Sequence, residues 1–204
     1  MGVDALGFTL SIPGGIHDGL TEGRARAIIE HLPSGILPVV ITYLQSAEQA
    51  SRLVNEVRGR AVQFHGGLAA DEVECFRAQC PGVKVIGVVT VAGEQSLERA
   101  AEFRPPLWDA LLLDSLDPHT GRIGAPGRTH DWSISARIVE NSLVPVILAG
   151  GLNPTNVGQA ILKVRPHGVD AHTGVENLDG SRSFEKIRMF ATAALDAMEP
   201  PARR

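Results

Sequence analysis

Val144-Pro-Val-Ile-Leu-Ala-Gly-Gly-Leu-Asn-Pro-Thr-Asn-Val157 is the stretch whose reading decides the class of this chain. Val144 to Leu148 is short, apolar and largely β-branched, as a strand buried on both faces should be. Ala149-Gly150-Gly151 then turns tightly, where backbone is able to approach a ligand closely. Asn153 suits a helix N-cap and Pro154 the first helical position, so a helix is expected through about Lys163. Strand, glycine turn and capped helix together aim backbone N–H groups and a positive dipole end at one point. Such a point binds anions, phosphate above all. Gly150-Gly151 alone fits an ordinary β–α corner equally well.

A second corner favours the anion reading. Gly168-Val-Asp-Ala-His-Thr-Gly-Val-Glu176 is another short strand ending in a loop of small residues, one helix further along. Phosphate sites built from the loops after the last two strands recur in (β/α)8 barrels. Outward from these corners the same alternation fills the chain. Strands are expected at Val3–Leu10, Leu37–Leu44, Ala61–Phe64, Val83–Val89, Asp109–Leu113, Val144–Leu148 and Gly168–Ala171. Between them lie helical stretches at Thr21–His31, Ala47–Val57, Ala70–Gln79, Ser96–Glu102, Ser133–Asn141, Asn153–Lys163 and Ser183–Met198. Repeated βα units around a parallel sheet follow from this pattern. The expected fold class is α/β and TIM-barrel-like, (β/α)8 in kind, with seven βα units evident and the chain opening directly on a strand. An open sheet leaves two raw edges, which a homodimer or a further N-terminal segment would cover.

The 204 residues form one domain on this reading, 1–204, with a tail over 199–204 that frays. Hydrophobic residues make up 44% and charged residues 21%, the balance of an ordinary globular protein. A net charge of −4 with scattered Lys and Arg gives no reason to expect nucleic acid or an anionic membrane as partner. No apolar run approaches the roughly 20 residues of a bilayer span, and Met1-Gly-Val-Asp4 does not read as a signal peptide. Cys75 and Cys80 have no partner pair, so a core or half-exposed helical placement and a cytoplasmic setting are expected.

Several segments, taken in order, resemble phosphoribosylanthranilate isomerases. They are Asp4-Ala-Leu-Gly-Phe8, Val62-Gln-Phe-His-Gly66, Leu111-Leu-Leu-Asp-Ser115, Thr129-His-Asp-Trp-Ser133, Leu148 through Val157, and Gly168 through Glu176. The run from Leu148 to Val157 is the most specific. The resemblance implies a (β/α)8 barrel and an Amadori rearrangement in tryptophan synthesis, in which a ribosylamine phosphate opens and tautomerises to a ketose amine without metal or cofactor. It makes Asp114 the general acid for the ring oxygen. The residue follows an apolar strand and faces a barrel mouth, where desolvation would raise its pKa enough to carry a proton. Phosphate would be held at Gly150, Gly151, Asn153, Thr173 and Gly174.

Departures from the family pattern stand beside the matches. The family's base is a cysteine ending a first strand that has no counterpart here. Its carboxylate-binding arginine is replaced by Ser11-Ile-Pro-Gly-Gly-Ile-His-Asp18, and the final corner carries His172-Thr173 where the family usually has two serines. His65 and His172, each at a strand end, are candidates to replace the thiolate base, or else orient other groups. His17 and His130 lie in loops after strands. Arg122 and Arg128 lie in the loop after Asp114, placed either to clamp a substrate carboxylate or to sit in solvent. A second reading gathers His65, Asp114 and His172 around a divalent ion. Two further alternatives are an isomerase or epimerase of another sugar phosphate, and a non-catalytic barrel that binds a phosphorylated ligand.

Overall fold

The computed structural model describes residues 2–11, 20–115 and 129–198. Among them seven strands alternate with seven α-helices, an α/β architecture as the sequence pattern predicts. The chain divides into two compact units.

One unit comprises Val3–Val88 with Arg104–Ala110. Its strands β1 (Ala5–Leu10), β2 (Leu37–Thr42), β3 (Ala61–Phe64) and β4 (Lys84–Val91) pair in parallel, each with the next. The helices α1 (Glu22–Ile29), α2 (Ala47–Val57) and α3 (Ala70–Gln79) follow β1, β2 and β3. Helix α2 buries Ala47, Ala50, Leu53, Val54 and Val57, an i, i+3, i+4 stripe. Phe64 of β3 meets Phe76 of α3 edge to face at 5.4 Å, both fully buried. Truncating either aromatic would cost roughly 3–5 kcal/mol. The N-terminus of α2 is capped from outside its own segment: Ala47 N–H donates to Glu72 Oε2 of α3 at 2.6 Å, a carboxylate set against a positive helix end.

Asp109 fastens the beginning of β4 in this unit. It accepts from Arg77 Nη2 at 2.6 Å, Lys84 Nζ at 3.1 Å and the Val85 N–H at 2.9 Å. Partial burial disfavours its charge, yet the Val85 N–H, Lys84 and Arg77 together hold its carboxyl below the ordinary range. Cys75 is exposed on α3 and Cys80, the residue that ends it, is buried.

The other unit carries α4 (Gln95–Ala100), β5 (Ala110–Ser115), α5 (Trp132–Asn141), β6 (Val146–Leu148), α6 (Val157–Val164), β7 (Gly168–Val169) and α7 (Phe184–Met198). Strands β5, β6 and β7 pair in parallel, with Leu113, Leu148 and Val169 in one row. Val169 packs on a core of Val157, Ile161 and Ala194 from α6 and α7, so this row faces the helices. No helix among the described residues is long and apolar enough to cross a membrane.

One helix boundary differs from the sequence reading. Asn153 is not the N-cap of α6, which begins at Val157 with Asn156 before it. Asn153 Oδ1 instead accepts from Thr155 N–H and Thr155 Oγ1, at 2.9 and 2.6 Å. Asn156 accepts from Asn153 N–H through Oδ1 at 2.8 Å and donates through Nδ2 to Gly151 O at 3.0 Å. The Asn-Pro-Thr-Asn segment is thus a side-chain-braced loop, because its short polar side chains satisfy the backbone outside a helix.

Candidate active site

Parallel pairing puts the residues that follow Leu113, Leu148 and Val169 in the next row: Asp114, Ala149 and Asp170. Ala149 N–H donates to Leu113 O at 2.8 Å and Asp170 N–H to Leu148 O at 2.9 Å, extending the ladder to that level. Alternation turns this row away from the helices. It stands at the C-terminal ends of the strands, where barrel enzymes keep their chemistry.

Asp114 is 6% exposed. Burial, opposed by the pull of the Ser115 N–H and helped by the nearby Asp170 charge, lifts its carboxyl to about 6. The Ser115 N–H donates to Asp114 Oδ1 at 2.7 Å. Ser115 Oγ in turn is 2.9 Å from His130 Nδ1, while His130 Nε2 is 2.7 Å from Ser135 Oγ on α5. Burial drives His130 down to about 4 despite the adjacent Asp131 charge, so the ring is neutral near pH 7, with one nitrogen donating and the other accepting. His130 therefore ties the chain entering α5 to the end of β5.

The two glycine corners meet beside this carboxyl. Gly150 and Gly151 both have positive φ, 81° and 66°. A Cβ on Gly150 would lie 2.2 Å from Ser115 Oγ and 2.6 Å from Ser115 N, so the first corner packs directly on the end of β5. A Cβ on Gly174 would lie 1.9 Å from Leu152 O, so the second corner packs on the first. Both glycines thus hold a left-handed backbone that a side chain would strain. Among the described residues neither N–H has an acceptor. Thr173 and Gly174 stand in the 3₁₀ turn Thr173–Val175 that follows β7.

The remaining sequence candidates fall elsewhere. His172 lies beside Glu176, Nδ1 to Oε1 3.7 Å, and Glu176 is also held by Arg182. His65 ends β3 in the other unit, its Nδ1 2.9 Å from Gln63 Nε2 and its ring edge-on to Tyr43. Among the described residues no three His, Cys, Asp or Glu side chains come together to hold a metal ion, so the proposed grouping of His65, Asp114 and His172 is not formed. Arg122, Arg128 and His17 lie outside the described residues. Asp170 was passed over in the sequence because one aspartate in a short polar corner has no distinguishing pattern. The signal lay in its register, one residue beyond a half-buried Val that packs on the helices, as Asp114 is one beyond a buried Leu.

Residues 21–193 match the family described as N-(5'-phosphoribosyl)anthranilate (PRA) isomerase. The chain belongs to the phosphoribosylanthranilate isomerase family. The match runs through both compact units. Isomerase 2 of Methanosarcina mazei is 37% identical over 193 residues, 95% of this chain and 85% of that protein. The isomerase of Desulforudis audaxviator is 41% identical over 199 residues, 97% of this chain and 90% of its own length. Among solved structures, phosphoribosylanthranilate isomerase of Thermotoga maritima aligns with a TM-score of 0.78 at 31% identity, covering 95% of this chain and 88% of that one. The fold is accordingly α/β and TIM-barrel-like, with seven βα units among the described residues.

Proposed function

We propose that the protein isomerises N-(5'-phosphoribosyl)anthranilate to its ketose amine, an aldose–ketose isomerisation of tryptophan biosynthesis. The observation that carries this reading is a single buried carboxyl, Asp114, with a pKa near 6 beside two abutting glycine corners. The family's reaction needs a proton donor at the sugar ring and a grip on its 5'-phosphate. Asp114 is the donor: a carboxyl near 6 retains a useful protonated fraction close to neutrality and still gives its proton up. Gly150, Gly151, Thr173 and Gly174 hold the phosphate through backbone N–H groups. Asn153 and Asn156 act indirectly, by fixing the shape of the first corner. Ser115 and His130 keep Asp114 and that corner in register.

The substrate is thus a phosphorylated small molecule, and the setting proposed is the cytoplasm, where such metabolites are made. A homodimer is the proposed assembly, since Leu178, Phe184 and Met189 leave apolar side chains exposed in one unit. The Thermotoga maritima relative is itself described as dimeric. Light scattering of the purified chain checks the mass. Growth of an isomerase-deficient tryptophan auxotroph carrying this gene tests the activity. Growth that Asp114→Asn abolishes supports the reading; no growth from a well-folded, soluble protein refutes it.

A further inference from the structure

We propose that His130 is a positioning residue for the acid of this site: through Nδ1 and Ser115 it fixes the hydrogen bond that receives the charge left on Asp114 when its proton departs. The other ring nitrogen, Nε2, holds the ring to α5 and has no part in the chemistry. The assignment rests on the isomerase reading and gives the two sides of one imidazole separate duties.

Ser115 is the joint. Its N–H reaches Asp114 Oδ1 at 2.7 Å, and its Oγ lies 2.9 Å from His130 Nδ1. The β5–β6 register ends at Leu113 and Leu148, so toward β6 it is the side chain that holds Ser115 among the described residues. Gly150 closes the space beside it: a Cβ there would lie 2.2 Å from Ser115 Oγ, which leaves the hydroxyl little room to swing away from the ring. On the far side His130 Nε2 is 2.7 Å from Ser135 Oγ of α5. Ser115 and Ser135 are both buried, so water does not compete for either hydroxyl.

The ring does this without bringing a charge. Burial outweighs the Asp131 carboxylate beside it and keeps His130 neutral near pH 7. Asp131 itself is engaged by Ser133 and feels Lys163 of α6. A cation next to Asp114 would favour its carboxylate and spoil the acid. A neutral ring that donates from one nitrogen and accepts at the other holds Ser115 in place and leaves the carboxyl able to carry a proton.

Two opposed influences then meet on Asp114. Burial and the charge of Asp170, at the end of β7, favour the acid form, while the Ser115 N–H favours the carboxylate. As Asp114 passes its proton to the sugar ring oxygen, negative charge grows on Oδ1 and Oδ2. A donor already aimed at Oδ1 stabilises that charge at no cost in reorganisation. Letting Ser115 move removes the donor, which slows the transfer and raises the carboxyl pKa further. Activity is lost as the pH rises through that pKa, so the loss of His130 moves the alkaline limb upward.

The test uses the purified full chain on phosphoribosylanthranilate, with kcat followed against pH. All variants meet the same substrate, so its own ionisation cancels between them. His130→Phe keeps the bulk and loses both bonds; it is expected to lower kcat about tenfold or more and to move the alkaline limb to higher pH. It should bind a reduced, unreactive analogue of the ketose product within about threefold of wild type, the pattern of a group that serves the chemistry. Asparagine places an amide atom where Nδ1 stands, and glutamine places one where Nε2 stands. His130→Asn should therefore recover most of kcat and return the limb, whereas His130→Gln should keep more of the stability and recover little of kcat. Ser115→Ala removes only the hydroxyl, should shift the limb as His130→Phe does, and carries the test if that variant does not fold. A wild type that turns over, with His130→Phe or Ser115→Ala within about threefold of it and the limb unmoved, overturns the assignment alone. So does His130→Gln restoring kcat as well as His130→Asn. A folded wild type with no turnover overturns the isomerase reading itself, and this assignment with it.

Discussion

Asp109 and Asp114 stand at opposite ends of β5, and the chain uses them in opposite ways. Asp109, just before the strand, meets Arg77, Lys84 and the Val85 N–H, and its carboxyl is held below the ordinary range. Asp114, near the strand's end, is buried with another carboxyl, Asp170, in its field, and is lifted to about 6. The same side chain is a fastener in one place and a proton carrier in the other. Neighbours make the difference: cations and a backbone donor stabilise a carboxylate, whereas burial beside a like charge stabilises the acid. In barrels of this kind the N-terminal ends of strands serve stability and the C-terminal ends serve chemistry.

The contrast is open to direct attack. Asp114→Asn should reduce kcat by about 10² to 10⁴-fold, the worth of a positioned general acid, with product-analogue affinity largely kept; steady-state kinetics and a binding isotherm measure both. Asp109→Ala should do the reverse. It removes two ion pairs and a backbone acceptor, so a loss of about 2–3 kcal/mol of stability is expected with kcat nearly unchanged. Denaturant titration reads the first quantity and the assay the second. If Asp109→Ala silenced the enzyme while leaving it stable, the division of labour along β5 would be wrong.

Asp114 also predicts a pH signature. Its folded pKa of about 6 lies above the ordinary 3.8, so the folded state holds more protons than the unfolded state between those values. Its contribution is fully present below about pH 4 and is lost as the pH rises through about 6. The gap corresponds to on the order of 3 kcal/mol. His130 has the opposite sign: neutral in the fold at about 4 against 6.5, it costs stability as the pH falls from 6.5 toward 4. Asp114→Asn should therefore be more stable than wild type above pH 6 and nearly equal to it at pH 4. The difference between His130→Phe and wild type should run the other way across the same window. Unfolding midpoints at pH 4, 5, 6 and 7 decide it.

The smallest expected effect is at Asn156. Replacing it by Ala removes the bonds to Asn153 N–H and Gly151 O that brace the first corner. A cost of about 1 kcal/mol is expected, read as a KM several-fold higher with little change in kcat. A change in kcat alone would show that the corner does not serve phosphate.

Much of the fold was legible because its signals are local. Ala47–Val57, Ala61–Phe64 and Ala70–Gln79 are read from sequence with the bounds the structure gives them, since apolar period and turn residues agree there. The start of α6 was misjudged for an equally local reason. Asn153-Pro154 has the composition of a helix start, but the Asn153, Thr155 and Asn156 side chains close a loop instead. Asp114 was visible through the Leu-Leu-Leu-Asp run that leads into it. Asp170 and the bridge from Ser115 through His130 to Ser135 were not, because each depends on strands and helices far apart in the chain.

By itself the amino-acid sequence determined the alternation of strands and helices, the two glycine corners and the identity of the family. These follow from periodicity, backbone freedom and residue order, which need no partner at a distance. Tertiary structure alone decided that the corners touch, that Glu72 caps α2, and that Asp114 shares a row with Asp170. Each of these depends on groups that only folding brings close. A carboxyl's pKa belongs to the same class, since burial and neighbouring charge do not exist until the strands pair.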